Sequence, residues 1–281
     1  MVELNNGIYQ GYETLQLEPE EMAKLYDGTS EIVSLENEYI KVCDTEGNLI
    51  DILKYQDGIY KSLSGFKIKN EWSGSISPRN IEQRMMFDAL DDRSVPLKIF
   101  TGRYGSGRTF ISINKALELV NNNKFDRIVY VRNNINVKGT EGIGFLPGDI
   151  NEKMLAWLMP IADIVGGVIG LQMLLEKELI EAVPLNFIRG RSFTNSIIIS
   201  DESENLTKEL WQLIIGRSGE NSELWFLSDF RQTDFGDNKY RNYVDGTSYV
   251  IEKLKGERLV SIVDLHKTER SALANLSNLL D

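Results

Sequence analysis

From residue 97 onward, short apolar runs of strand length alternate with stretches of helical period. "LKIFT" (97–101), "RIVYV" (127–131), "SIIIS" (196–200), "ELWFLS" (223–228) and "LVSIVDL" (259–265) read as strands. "SIIIS" is apolar throughout, the mark of a strand covered on both faces. Helical patterns fall at about 108–122, 151–181, 207–217 ("TKELWQLIIGR") and 249–256 ("YVIEKLKG"), with a closing helix in "TERSALANLSNLL" (268–280). Alternation of this kind predicts an α/β fold, a parallel sheet with helices on both faces.

Residues 1–76 read differently. Runs of alternating polarity are broken by turn signals at "TEGN" (45–48) and "QDG" (56–58), which predicts a small antiparallel β unit. A short helix is expected over residues 18–26. "NEWSGSIS" reads as a linker, after which "SPRNIEQRMMFDAL" opens a helix, with Ser77 as its cap and Pro78 in its first position. The expected division is therefore a β-rich unit of residues 1–76 and an α/β domain of residues 77–281.

Between the first α/β strand and its helix lies Gly102-Arg103-Tyr104-Gly105-Ser106-Gly107-Arg108-Thr109. This matches the frame G-x-x-x-x-G-K-[ST] except that Arg108 stands at the lysine. Glycines let successive backbone N–H groups face phosphate oxygens, and the following helix adds its positive N-terminal end. Thr109 can offer a hydroxyl to Mg²⁺, and a long cation reaches the β and γ phosphates. Arg108 supplies charge and reach, but its guanidinium is planar and wider than an ammonium. The two readings are a phosphate cradle, with Phe110 closing the stretch, and a glycine turn without a ligand.

"SIIISDESEN" ends an apolar strand in Asp201-Glu202. In phosphate-loop enzymes a strand-end aspartate serves Mg²⁺ and a following glutamate activates water. The bland alternative is a solvated strand end. A third polar cluster, Ser228-Asp229-Phe230-Arg231-Gln232, follows the next strand and can sense the γ phosphate or be an ordinary loop.

Composition narrows the field. The chain has 281 residues, a net charge of −11 and a pI near 4.8, so binding to nucleic acid needs a local basic patch. One cysteine, Cys43, excludes an internal disulfide and fits a reducing compartment. One histidine, His266, excludes histidine-rich metal sites and disfavours a Ser-His-Asp triad. "MLAWLMPIADIVGGVIGLQMLL" (154–175) is long enough for a membrane span, but Pro160, Asp163 and Gly166-Gly167 predict buried helices of a soluble protein instead. No signal peptide is visible, and a cytoplasmic location is expected. Trp157, Trp211 and Trp225 fall in helix or strand patterns and are expected in the core rather than as base-stacking platforms.

Taken together, these residues resemble the PhoH-like family of P-loop ATPases. The resemblance is carried by "GIGFLPGDINEKMLAWLMPIAD" (142–163), "PLNFIRGRSFTNSIIISDESEN" (184–205), "SDFRQTD" (228–234), "KTERSALANLSNLL" (267–280) and "SPRNIEQ" (77–83). It implies a RecA-like fold and ATP with Mg²⁺ as ligands. It places Gln83 near the adenine, residues 102–109 on the phosphates, Asp201 and Glu202 on Mg²⁺ and water, Gln232 on the γ phosphate, and Arg270 on phosphate, in a neighbouring subunit or its own. It also implies a ring homo-oligomer, hexamers being described, that acts on RNA or single-stranded nucleic acid. The region from about 30 to 76 is similar to the linker of members with an N-terminal PIN nuclease domain, a domain not present in this chain. Arg108, Ser228 in place of glycine, and "VRN" (131–133) in place of "TRP" depart from the family pattern and imply a divergent, phage-encoded member.

Two functions are therefore expected. One is a Mg²⁺-dependent ATPase; the other is a nucleotide-binding oligomeric module with little or no hydrolysis, because of Arg108. A ribonuclease is disfavoured, since no other carboxylate cluster has convincing spacing. Arg189 and Arg191 in "IRGRSF" fit a nucleic-acid backbone, an adjacent subunit or solvated salt bridges equally.

Overall fold

In a computed structural model the described residues are 8–132, 157–229 and 246–269. Their centre is a six-stranded, wholly parallel sheet. Its strands are β7 (Leu97–Gly102), β8 (Arg127–Arg132), β9 (Ile180–Pro184), β10 (Ser196–Asp201), β11 (Glu223–Leu227) and β12 (Val260–Leu265), in the spatial order β12-β7-β11-β10-β8-β9. The five expected strands are all present.

The apolar runs are long because both faces are covered. In β10, Ile197 and Ile199 enter one hydrophobic cluster and Ile198 the other. The first face is packed by α2 (Ile81–Asp91), α3 (Arg108–Asn121), α4 (Met159–Ala162) and α5 (Val168–Glu176). The second is packed by α6 (Lys208–Ile215) and α7 (Gly246–Leu254), where Trp211 stacks on Phe226 with centroids 3.7 Å apart. Trp211 and Trp225 are fully buried, as expected, and Trp157 is half-buried.

Several expectations need correction. The helix expected to start at Ser77-Pro78 starts at Ile81; its cap is Asn80, whose Oδ1 accepts the Gln83 N–H at 2.9 Å. The local hydrogen bond of an asparagine outweighs the preference of proline for a first turn. The helical pattern of 151–181 is broken by Gly166 and Gly167, both with left-handed φ (80° and 88°), and ends at Glu176. Residues 180–184 form β9 instead, which extends the sheet beyond β8. Val168, Ile169 and Met173 of α5 are exposed rather than buried. No helix among the described residues is long and apolar enough to cross a membrane.

The N-terminal region forms a four-stranded sheet, β1 (Tyr12–Gln16), β2 (Tyr39–Cys43), β3 (Leu49–Gln56) and β4 (Ile59–Ser62), plus the hairpin β5 (Ile68–Asn70) and β6 (Gly74–Ile76). The turns fall where the sequence placed them, and α1 (Pro19–Asp27) matches the expected short helix. The sheet is not purely antiparallel, because β1 pairs with β2 in parallel. Tyr39, Ile52, Leu63 and Ile68 join the same hydrophobic cluster as α2 and α3. Polar contacts reinforce the junction: the Tyr39 hydroxyl donates to Asp88 at 2.9 Å, and Lys54 pairs with Asp92 at 2.6 Å.

Candidate functional site

The carboxyl ends of the parallel strands carry the site, the usual place for ligands in an open α/β sheet. The loop after β7 turns through Gly102 (φ 136°), Gly105 (φ 75°) and Gly107 (φ 97°) into α3. Gly102 is required sterically: a Cβ there would meet the Leu265 carbonyl oxygen at 2.1 Å. The first turn of α3, which holds Arg108, Thr109 and the exposed Phe110, presents backbone N–H groups with no intrahelical acceptor.

The loop is braced from two sides. Gln83 of α2 is buried; its Nε2 donates to the Ser106 carbonyl at 2.9 Å, and its Oε1 accepts the Arg79 N–H at 2.9 Å. Its amide is thus committed to the loop and the helix start. The strap after β12 lies on the other side, where the Glu269 N–H donates to the Gly105 carbonyl at 2.9 Å. Glu269 also accepts from Asn80 at 2.8 Å. On the strand beneath, Thr101 donates to Asp264 at 2.8 Å, and His266 Nε2 lies 2.9 Å from the same carboxylate.

Arg108 folds back over its own loop. It donates to the Gly102 carbonyl and approaches Asp229 at 3.6 Å. Burial pulls its guanidinium below the ordinary value, against the attraction of Asp229, Asp201, Glu204 and Asp264.

One strand lies between β7 and β10, so Asp201 and Glu202 face the loop across the end of β11. The Tyr130 hydroxyl donates to Asp201, and burial and then that carboxylate push Tyr130 up, which keeps it a donor. Glu202 has left-handed backbone (φ 54°), a conformation that costs on the order of 1–2 kcal/mol for a residue with a Cβ. Arg132, at the end of β8, donates to Glu202 Oε1; burial is the largest single influence and lowers the arginine, but that bond together with the charges of Glu202, Tyr130 and Asp201 raises it. Strain and an ion pair together aim an acid out of the sheet.

Sequence reasoning missed Glu204. Its carboxylate is buried and accepts the Asp229 N–H at 2.8 Å. Burial, then the charges of Glu202 and Asp201, push it up to about 7, although the Asp229 N–H pulls the other way. Tyr130 and Asp264 were also missed. A polar side chain within a mostly apolar strand was the available signal for both.

Gln232 and Arg270 lie outside the described residues. Arg191 is held by Glu181 in a two-pronged pair (2.7 and 3.0 Å), whereas Arg189 is exposed and has no side-chain partner among the described residues.

The donor set suits a nucleotide with Mg²⁺. The loop leaves no room for a side chain at Gly102, and a threonine in the first turn of α3 and a carboxylate at the end of β10 stand on either side of β11. Among the described residues no group of three or more His, Cys, Asp or Glu forms a metal cage. Mg²⁺ typically takes only one or two protein ligands and completes its shell with phosphate and water.

Sheet order and glycine loop together define a RecA-like P-loop protein. The PhoH-like protein family matches residues 75–276, and the chain belongs to that family. Its relatives include Protein PhoH2 of Mycolicibacterium smegmatis, 34% identical over 201 residues (70% of this chain, 45% of the relative). Protein PhoH of Escherichia coli K12 is 33% identical over 205 residues (70% and 56%). Protein PhoH2 of Bacillus subtilis is 27% identical over 289 residues (97% and 64%). The chain thus spans about half to two thirds of the length of these relatives. Family membership makes it a nucleotide-binding protein of the P-loop class.

Proposed function

We propose that this protein is a Mg²⁺-dependent ATPase that works as a ring homo-oligomer on RNA or single-stranded nucleic acid. The observation that carries the catalytic part is Glu202, an acid in left-handed backbone, held by Arg132 beside Asp201 and opposite the glycine loop. The backbone N–H groups of the loop bind the phosphates. Thr109 and Asp201 would hold Mg²⁺, which would supply charge neutralisation on the phosphates. Glu202 orients a water in line with the γ phosphorus and accepts its proton. The bond from that phosphorus to the β-γ bridging oxygen breaks, giving ADP and phosphate.

Arg108 supports the nucleotide-binding module as a second reading. To reach phosphate it must leave Asp229 and the Gly102 carbonyl, so part of the ligand's attraction is spent on displacement. Arg189, exposed and without a side-chain partner among the described residues, is the arginine of "IRGRSF" that would meet a nucleic-acid backbone; ring formation and the division into residues 1–76 and 77–281 belong to the same reading.

Phosphate release from Mg·ATP, with and without RNA, tests both. Glu202→Gln is expected to lower turnover by on the order of 100- to 10,000-fold while ATP binding survives. Unchanged turnover would remove Glu202 from the role. Arg108→Lys separates the readings: a large gain marks the natural protein as a nucleotide-binding module, and a loss marks arginine as the working residue.

A further inference from the structure

We propose that Glu204 is a positioning residue of this site. Its buried carboxylate braces the end of β11 against the segment after β10, so that Asp229, the resting partner of Arg108, stays in register with Glu202. The inference rests on the ATPase reading for its catalytic consequence and on geometry alone for the brace.

Glu204 sits in the single 3₁₀ turn Ser203–Asn205 that follows Glu202. Three contacts fix this turn. Ser203 Oγ donates to the Ser200 carbonyl at 2.8 Å. Thr247, in the first turn of α7, donates to the Ser203 carbonyl at 3.1 Å and lies 3.4 Å from Ser228 Oγ. Glu204 Oε2 accepts the Asp229 N–H at 2.8 Å. The end of β11 is therefore tied to the β10 turn by a serine, a threonine and a glutamate. Through Asp229 the path runs on to Arg108, 3.6 Å away. A shift of the β11 end would move Asp229, and with it the resting position of Arg108, relative to Glu202.

The charged groups facing Glu204 are Asp201 and Glu202 on its own segment, Asp229 at the end of β11 and Arg108 on α3; α7 contributes the neutral Thr247. A carboxylate in this company changes charge near neutrality, and a hydrogen bond to the ionised form is the stronger one. The brace is accordingly tighter above neutral pH than below it.

The test uses the full chain with Glu204→Gln, which keeps an acceptor and removes the titration, and Glu204→Ala, which removes both. The Asp229 amide resonance in apo protein should titrate near neutral pH in the wild type, stay fixed in Glu204→Gln, and lose its hydrogen-bonded shift in Glu204→Ala. Glu204→Ala should lower kcat on the order of 10- to 100-fold with little change in KM, as for a small displacement of reacting groups. Glu204→Gln should recover most of kcat and flatten its dependence on pH. An Asp229 amide indifferent to both substitutions overturns the brace, and a Glu204→Ala variant with wild-type kcat overturns the positioning role. Absence of phosphate release from the wild type would count against the ATPase reading alone. The amide titration, which needs no nucleotide, still decides the brace.

Discussion

The strand β7 carries a buried cation beside each end, and the two are built to opposite ends. At its start, Lys98 is fully buried and donates to the Val95 carbonyl at 2.8 Å and to Glu223 at 2.5 Å. The same Glu223 oxygen accepts the indole N–H of Trp225 at 2.9 Å. This pair is closed, and it locks β7 to β11 by side chains as well as by the ladder. Beyond the other end, Arg108 donates to a backbone carbonyl and, among the described residues, pairs with Asp229 alone, while Asp201, Glu204 and Asp264 act on it at longer range. Asp201, Glu202, Glu204, Asp229 and Asp264 gather near Arg108 and Arg132, an excess of negative charge that a divalent cation would balance. A buried pair of one cation and one carboxylate, with a carbonyl and an indole completing its bonds, is a structural device; charge in excess beside a glycine cradle is a site.

Removing one partner of the closed pair gives the largest expected effect. Lys98→Met leaves Glu223 buried without its cation and is expected to lower stability by about 3–5 kcal/mol in urea unfolding. Lys98→Met with Glu223→Leu should recover most of that loss, because a well-packed apolar replacement of a buried pair is often neutral. No recovery in the double variant would mean that Glu223 serves Trp225 or Arg93 rather than the lysine.

The open end is expected to show itself in pH dependence. Glu204 has a folded value of about 7 against an ordinary 4.5, so the folded state keeps a proton that the unfolded chain releases. The sign follows from linkage: the stabilisation is fully present below 4.5, and it is lost progressively as pH rises to 7. The total is about 3 kcal/mol, from the size of the shift. Urea unfolding of wild type and Glu204→Gln across this range should show the slope in the first and not in the second. Parallel curves would assign the proton to another group.

What the sequence revealed and what it hid divide along the same line. The strands from β7 to β12 were legible, β9 excepted, because burial on both faces leaves uninterrupted apolar runs. The glycine loop was legible because only glycine allows the approach to Leu265. β9 was hidden by the apolar stretch before it, whose composition suits a helix as well as a strand. The Asn80 cap was hidden by a proline two residues earlier. Glu204 was hidden for a different reason: in "DESEN" one acid resembles the next, and only the fold turns one outward to Arg132 and buries another against Asp229.

The smallest predicted effect concerns how the N-terminal unit holds the closed end. Asn37 is buried, with left-handed backbone (φ 64°), and its Nδ2 lies within hydrogen-bond distance of the carbonyls of Glu257, Arg258 and Val260, at 3.4, 2.9 and 3.0 Å. Val260 begins β12 and pairs with Leu97 at the start of β7, so this side chain stitches the β-rich region to the same end that Lys98 locks. Asn37→Ala leaves the buried bond to Val260 and two part-buried ones unmade and keeps the unfavourable φ; a loss of about 1–3 kcal/mol is expected. Asn37→Gly removes the same donor but relieves the backbone, and should lose less. If the closed end is structural only, both variants should destabilise the protein without changing the KM for ATP. A changed KM in Asn37→Gly would instead mean that the N-terminal unit reaches the nucleotide loop, along β12 or through α2 and Gln83.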